Sequence, residues 1–381
     1  SPGWTGKIKN LHPAIHDILH LGLYQIYHMD KIPASAAVNE SVQLAKKYCP
    51  KIRNASGLVN AVLRNAVRTF GTLKAPVKLE DRYSHPQELI QLLESYVGKE
   101  HIESMLLANN AVPDLVVQVN TLRVSADALM QALCEEGITA KLHDWMPDCL
   151  VLSGVGDIEQ SKSFQDGLFY VQDTAAKLSV LCAEIPQGAT VLDACAAPGG
   201  KSFASAVSMK NSGCIHACDV HPHKINLITS GAERLGFNSI QSHLQDATKV
   251  NPEWLEQMDV VIADVPCSGY GIIRKKPDIR YKNIQQMAQL PELQLEILEN
   301  QASYVKPGGV LIYSTCTLVQ RENEDVVQTF LAHNKEFYLE KLPLPEHFQE
   351  NTTGMMALIP GQYETDGFFI ARMRRKACTN T

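Results

Sequence analysis

The sequence predicts an α/β protein: a doubly wound, mostly parallel sheet, preceded by an all-α domain and a small α/β domain. Three observations carry this. Beyond residue 168, short apolar runs alternate strictly with amphipathic stretches, the pattern of strands joined by crossover helices. Residues 11–70 instead repeat apolar side chains at helical spacing. Between these blocks, helical stretches mix with isolated apolar runs.

In chain order, Leu11, Ile15, Ile18, Leu19, Leu23 and Ile26 predict a helix over 11–28, and the pattern recurs over 35–48 and 56–70. Pro33 opens the second helix, and Asn54 or Ser56 caps the third. These residues form an all-helical domain over 1–72, closed by a linker over 73–86. A small α/β domain follows over 87–167, with helical stretches at 87–109 and 126–136 and apolar runs at Leu115–Val119 and 149–152. Arg123 and Lys141 offer it phosphate contacts. The third domain, 168–378, places strands at 190–194, 214–218, 239–243, 259–264 and 308–314, with helices at 200–209, 222–235 and 286–305.

The 381 residues are 45% hydrophobic and 20% charged, as in ordinary globular proteins, and no apolar run reaches the 18 residues of a membrane span. The first residues have neither an initiating Met nor a signal-peptide layout, so the chain is expected to start partway into its helical domain and to act in the cytoplasm. Ten cysteines are scattered without a C-x-x-C pair, so neither a metal site nor a disulfide framework is expected. Cys214-Ile215-His216-Ala217-Cys218 lies inside a strand and reads as core packing. Net charge is -6, yet residues 1–78 hold eleven Lys or Arg against three acids. A basic module on an acidic body fits a polyanion-binding appendage on an enzyme.

Chemistry gathers at the strand ends, where parallel sheets hold their ligands. The first strand runs into Asp193-Ala194-Cys195-Ala196-Ala197-Pro198-Gly199-Gly200-Lys201, whose small residues admit a ligand close to the backbone ahead of a helix N-terminus. Neither a G-x-G-x-x-G nor a G-x-x-x-x-G-K-[ST] pattern is present, so a di- or triphosphate is not the expected ligand. Asp219 ends the second strand, placed for ribose hydroxyls. Asp246 follows the third, within reach of an adenine. Asp264-Val265-Pro266-Cys267-Ser268-Gly269 ends the fourth, and Cys316 follows the fifth. Singly, each Asp reads as a turn or cap residue and each Cys as a small buried hydrophobe. Four strand ends with matched chemistry do not. A ribose and an adenine without a pyrophosphate describe S-adenosyl-L-methionine.

Two thiols beside a methyl donor point to carbon-5 of cytosine, a poor nucleophile until a thiolate adds to carbon-6. Cys316 is read as that nucleophile, a second polar group as the base for elimination, and an Asp as the partner of the cytosine N3 and amino edge. The Asn/Asp-Pro-Pro-aromatic tetrad of exocyclic-amine methyltransferases is absent.

The stretches Asp193–Lys201 and 264–269, Arg274-Lys275-Lys276-Pro277-Asp278 and Ser314-Thr315-Cys316-Thr317 resemble the motifs of RNA cytosine carbon-5 methyltransferases, above all the bacterial 16S rRNA type with a NusB-like N-terminal domain. Leu21-Gly22-Leu23-Tyr24-Gln25, the stretch 32–40 and Gly57-Leu58-Val59-Asn60 resemble that domain, and Ser84-His85-Pro86 and Asp366-Gly367-Phe368-Phe369 match too. The resemblance implies a Rossmann-like class I methyltransferase sheet, with Cys316 as nucleophile and Cys267 releasing product. It implies that Asp264 contacts the base and Lys201 lies between cofactor and thiols. Cys195, Ala196, Ala197, Pro198, Gly199, Gly200, Lys201, Asp219, Asp246 and Asp264 would bind the cofactor, and Arg274, Lys275 and Lys276 the RNA. The expected partner is 16S rRNA, free or in an early small-subunit particle, bound by a monomer. The alternatives are the same reaction on tRNA or another RNA, and a non-catalytic RNA-binding or assembly factor.

Overall fold

The structure, a computed structural model, describes residues 11–72, 76–348 and 353–377. The start of the helical domain (1–10), part of the linker (73–75) and residue 378 lie outside these, as do Lys7, Lys9 and Lys74 of the basic module. The chain forms two compact units, divided between Val77 and Lys78.

In the first unit α1 (Pro13–His28), α2 (Ala34–Tyr48) and α3 (Ala55–Arg68) pack through Ile15, Ile18, Leu19, Val38, Ala45, Val59, Val62 and Leu63. The apolar spacing read from the sequence is the buried stripe. Pro33 stands at the N-cap of α2, and Asn54 takes that place before α3 in a left-handed conformation without a side-chain capping bond. Lys46, Lys47, Lys51, Arg53, Arg64 and Arg68 are all exposed.

The second unit begins with α4 (Leu79–Tyr83), α5 (Gln87–Val97) and α6 (Ile102–Asn109). The single stretch expected over 87–109 is broken at Gly98, whose φ of 84° no helix continues. These helices share a core with Tyr270, Ile273, Leu318 and Val319, the chain just beyond Cys267 and Cys316, rather than with the small sheet. That sheet follows: β1 (Leu115–Val119), α7 (Ala126–Glu135), β2 (Thr139–Leu142), β3 (Cys149–Ser153), α8 (Lys162–Gln165) and β4 (Phe169–Val171), antiparallel in the order β2-β3-β1-β4. Neither β2 nor β4 was readable as a strand, because β2 is an exposed edge without alternation and β4 has three residues. Val117 pairs with Val171, so the small sheet closes beyond residue 167. Arg123 is no phosphate contact here: its guanidinium donates to the backbone oxygens of Asp166 and Arg234, tying this sheet to a helix of the large one.

The large sheet comprises α9 (Thr174–Leu181), β5 (Thr190–Asp193), α10 (Gly200–Ser208), β6 (Cys214–Asp219), α11 (Pro222–Leu235), β7 (Ile240–Leu244), β8 (Met258–Asp264), α12 (Leu290–Ala302), β9 (Val305–Thr315), α13 (Glu324–His333), β10 (Phe337–Leu339), β11 (Met355–Leu358) and β12 (Phe368–Arg375). Its order is β10-β12-β9-β8-β5-β6-β7, with β11 also paired to β12. Strands β5 to β9 are parallel and lie where the sequence placed them. The helix expected over 286–305 is shorter: it ends at Ala302, and the chain turns at 303–304 to enter the sheet at Val305. Strands β10 to β12 were not anticipated. The antiparallel β12 runs along β9 from Arg374↔Val310 to Phe369↔Thr315, so it buries the strand that delivers Cys316.

Candidate active site

β8 and β9 are adjacent and parallel, with Asp264 in register with Ser314, so the loops that leave them start side by side. That register brings the Sγ atoms of Cys267 and Cys316, 49 residues apart, to 3.3 Å. Both thiols are partly buried. The hydrogen bond between the two sulfurs draws Cys316 below the usual thiol range despite its burial. The same bond, together with burial, pushes Cys267 well above it. One proton is thus shared unequally, leaving Cys316 the better nucleophile.

Lys201, from the first turn of α10, donates to Asp264 Oδ2 at 2.5 Å, and Ser314 Oγ donates to Oδ1 at 2.7 Å. Burial pulls the Lys201 ammonium down more than any other single influence, but the charge and hydrogen bond of Asp264, with the charges of Asp193 and Cys316, together outweigh it and the net direction is up. Lys201 therefore stays a cation and favours the Cys316 thiolate.

The two loops are clamped from beneath. Glu322, 3% exposed, accepts from Ser268 N and Gln294 Nε2, each at 2.9 Å, through one carboxylate oxygen. Gln294 Nε2 also donates to Pro266 O at 2.9 Å, and the hydroxyls of Ser268 and Thr317 lie 2.7 Å apart. Behind Cys316, Gly271 N donates to Cys316 O and Gly367 N to Gly271 O. A Cβ on Gly271 would collide with Gly367 O, so only glycine allows these chains so close. Glu322→Ala is expected to leave two buried donors unpaired and to cost about 2–4 kcal/mol. Glu322→Gln, which keeps an acceptor, is expected to cost less; thermal unfolding of the two variants checks this ordering.

A cleft of about 390 Å³ runs along the carboxyl ends of β5, β6 and β8, lined in part by Ala194, Cys195, Ala197, Asp219, Asp246 and Asp264. Asp219 accepts from His221 N at 3.0 Å and stands 3.5 Å from Lys224 Nζ; Asp246 accepts from the amide and hydroxyl of Thr248. Those two bonds draw the Asp246 carboxyl below its ordinary value. Leu293 and Ile297 supply an apolar wall. Other expected cofactor residues, Ala196, Pro198, Gly199, Gly200 and Lys201, form the turn behind this lining. Ala196 N and Gly199 N are spent inside the fold, on Cys218 O and Ala196 O. Gly199 has φ 116° and its Cβ would meet the Phe203 ring, so glycine is required there.

Sequence reasoning gave no role to Asp193, which is fully buried, accepts from Ser202 Oγ at 2.7 Å and keeps Oδ1 without a partner among the described residues. Burial lifts its carboxyl to about 6. Glu322 was also passed over, since the charged run Gln320-Arg321-Glu322-Asn323-Glu324 reads as a solvated face. Of the expected RNA contacts, Arg274 Nε lies 2.6 Å from Asp366, and Lys275 Nζ lies 2.6 Å from Asp366 and 3.1 Å from Asp173. Their charges are matched within the protein, while Lys276 stands exposed. A larger cleft, about 640 Å³, lies among Glu184, Glu340, Arg372 and Arg374. These four charges pair with one another at 2.7–2.8 Å.

The cleft has the size and lining of a nucleoside site. A parallel sheet with this order, acidic residues at successive strand ends and an adjoining thiol pair define a methyltransferase of the Rossmann-like class. Comparison with known proteins narrows this. Residues 180–374 match the profile of the 16S rRNA methyltransferase RsmB/F, residues 4–68 the NusB family, and residues 85–159 the RsmF/B-like ferredoxin-like domain. The chain is 37% identical to the probable ribosomal RNA small subunit methyltransferase B of Bacillus subtilis, over 98% of this chain and 85% of that protein. The crystal structure of PH0851 superposes with a TM-score of 0.78 at 27% identity, over 97% of this chain and 84% of that one. That of NSun6 from Pyrococcus horikoshii with SFG shares the fold at 21% identity, with a TM-score of 0.68, over 76% and 98%. The chain belongs to the RsmB/F family of S-adenosylmethionine-dependent rRNA methyltransferases.

Proposed function

We propose that this protein methylates carbon-5 of a cytosine in 16S rRNA through a covalent bond between Cys316 and cytosine carbon-6, acting as a cytoplasmic monomer. The observation that carries the reading is the 3.3 Å thiol pair beside the Lys201–Asp264 ion pair, at the end of the cofactor cleft. A binding protein needs neither thiol.

Asp219 would hold the ribose hydroxyls, Asp246 the adenine, and the backbone around Ala196 to Gly200 the amino-acid end. When bound, the cofactor supplies an electrophilic methyl group. Cys316 attacks carbon-6, the carbon-5/carbon-6 π pair shifts toward carbon-5, and Asp264 hydrogen-bonds the base edge where charge builds. Carbon-5 would then take the methyl, whose bonding pair stays on the donor sulfur as a neutral thioether, its proton would leave to a base, the double bond would re-form and the Cys316 sulfur would depart with the C–S electrons.

The test is methyl transfer from radiolabelled cofactor to unmodified 16S rRNA and to bulk tRNA in parallel, with nucleoside analysis. Label as 5-methylcytidine in rRNA alone supports the proposal. Label in tRNA alone keeps the chemistry and overturns the target, and absence of label in both revives the binding-factor reading. Asp219→Ala is expected to weaken cofactor binding about tenfold to a hundredfold, from loss of charge-assisted hydrogen bonds, as calorimetry would measure.

A further inference from the structure

The chain from Arg274 to Lys282 holds five cations and one acid, Asp278. The structure sorts them. Arg274 and Lys275 are neutralised by Asp173 and Asp366. Ile279 is buried against the core beneath the thiol loops, and a Cβ on Gly269 would stand 3.1 Å from its Cδ1. Arg280 donates to Ser84 O at 3.0 Å and Asn110 Oδ1 at 3.2 Å. Lys282 donates to Ser268 O, one residue from Cys267, at 2.9 Å.

Tyr281 stands between these anchors and is 69% exposed. No hydrogen bond or ring contact to it occurs among the described residues. Its backbone is therefore fixed from both sides while its ring is presented to solvent, next to the loop of Cys267 and in the same segment as the exposed Lys276. Most of the Tyr281 ring is open to solvent in the free protein, so it contributes little to the core and is available to a ligand.

The chemistry of the site supplies an account. A cytosine can reach Cys316 only after leaving its stack, and its departure strips one face of each neighbouring base. An aromatic ring at the mouth replaces the lost stacking whatever the neighbour's identity, and adjacent cations hold the phosphates. We infer that Tyr281 is a stacking platform for the nucleotide flanking the extruded cytidine, with Lys276 beside it on the backbone. The inference rests on the methylation reading above and names how that site takes its RNA.

The experiment compares wild type with Tyr281→Ala, Tyr281→Phe and Tyr281→Trp on rRNA oligonucleotides spanning the mapped methylation site, with either intact or abasic flanking positions. Tyr281→Ala is expected to raise KM and the RNA Kd roughly tenfold with kcat, cofactor affinity and thermal unfolding unchanged, and Phe and Trp to restore binding. On the oligonucleotide whose stacked neighbour is abasic, the Ala substitution should cost nothing. An unchanged Kd for Tyr281→Ala, or an equal loss on intact and abasic RNA, would overturn the inference. Should the wild type bind these RNAs but transfer no methyl, the methylation reading fails, and the Kd comparison still decides the stacking role.

Discussion

Cys316→Ala is expected to abolish methyl transfer, by about 10⁴-fold or more, while leaving RNA and cofactor binding intact. The size follows from the chemistry: without an attacking sulfur, carbon-5 never gains the electron density that captures the methyl. The thiol is small and its neighbours are held by Gly271, Thr317 and Glu322 rather than by its sulfur, so the fold should survive. The same geometry sets a pH dependence. The Cys267 hydrogen bond is the largest influence holding Cys316 low, followed among the lowering contributions by the Lys201 charge. Reactive thiolate therefore forms below the ordinary thiol value of about 8.5, and kcat/KM should rise with pH and level off below that point. Removing the Lys201 charge, as in Lys201→Met, should move this rise to higher pH. A rise centred at or above the ordinary thiol value in wild type would contradict the assignment, as would substantial residual methylation by Cys316→Ala.

Cys267→Ala is expected to trap a covalent RNA–protein adduct that persists through denaturing electrophoresis. In the free protein Cys267 is kept protonated by its hydrogen bond with the Cys316 sulfur and by burial. Once that sulfur is bonded to carbon-6 it carries no charge, and the largest cause of the high proton affinity of Cys267 disappears. Cys267 can then lose its proton to solvent and take the one on carbon-5, which expels Cys316. Without it, addition and methyl capture proceed but elimination stalls. Adduct bands that require Cys316, and vanish in Cys267→Ala/Cys316→Ala, are the expected pattern. Rapid turnover by Cys267→Ala with no adduct would leave Cys267 only a place in the packing.

The parts of the molecule legible in the sequence are those governed by local pattern. The apolar stretches of β5, β8 and β9 are buried on both faces, and buried strands read as continuous runs. The polar strand ends at Asp193, Asp219, Asp264 and Cys316 stand out against that background. The helices of the first unit were legible from a 3.6-residue stripe, now seen as the contact face of Ile15, Leu19, Val59 and Leu63. β10 and β2 escaped for the opposite reason: one has three residues and the other lies exposed at an edge, so neither carries a burial signal. β12 mixes apolar with basic residues: Arg372 is buried among Glu184, Glu340 and Cys182 O, and the half-buried Arg374 also pairs with Glu340.

Residue type and spacing determined the fold class, the kind of ligand and the two thiols, because strand ends and glycine turns are local devices. Which groups meet was decided by tertiary structure. The 3.3 Å approach of Cys267 and Cys316 depends on the β8–β9 register, and the role of Glu322 on a loop folding back beneath both. The ion pairs of Arg274 and Lys275 were hidden for the same reason: their acidic partners, Asp173 and Asp366, lie about 90–100 residues away in the chain. A charge reads as solvent-facing in sequence until folding brings its counter-charge, and only the packed chain shows that the Tyr281 ring meets no hydrogen-bond or ring partner among the described residues.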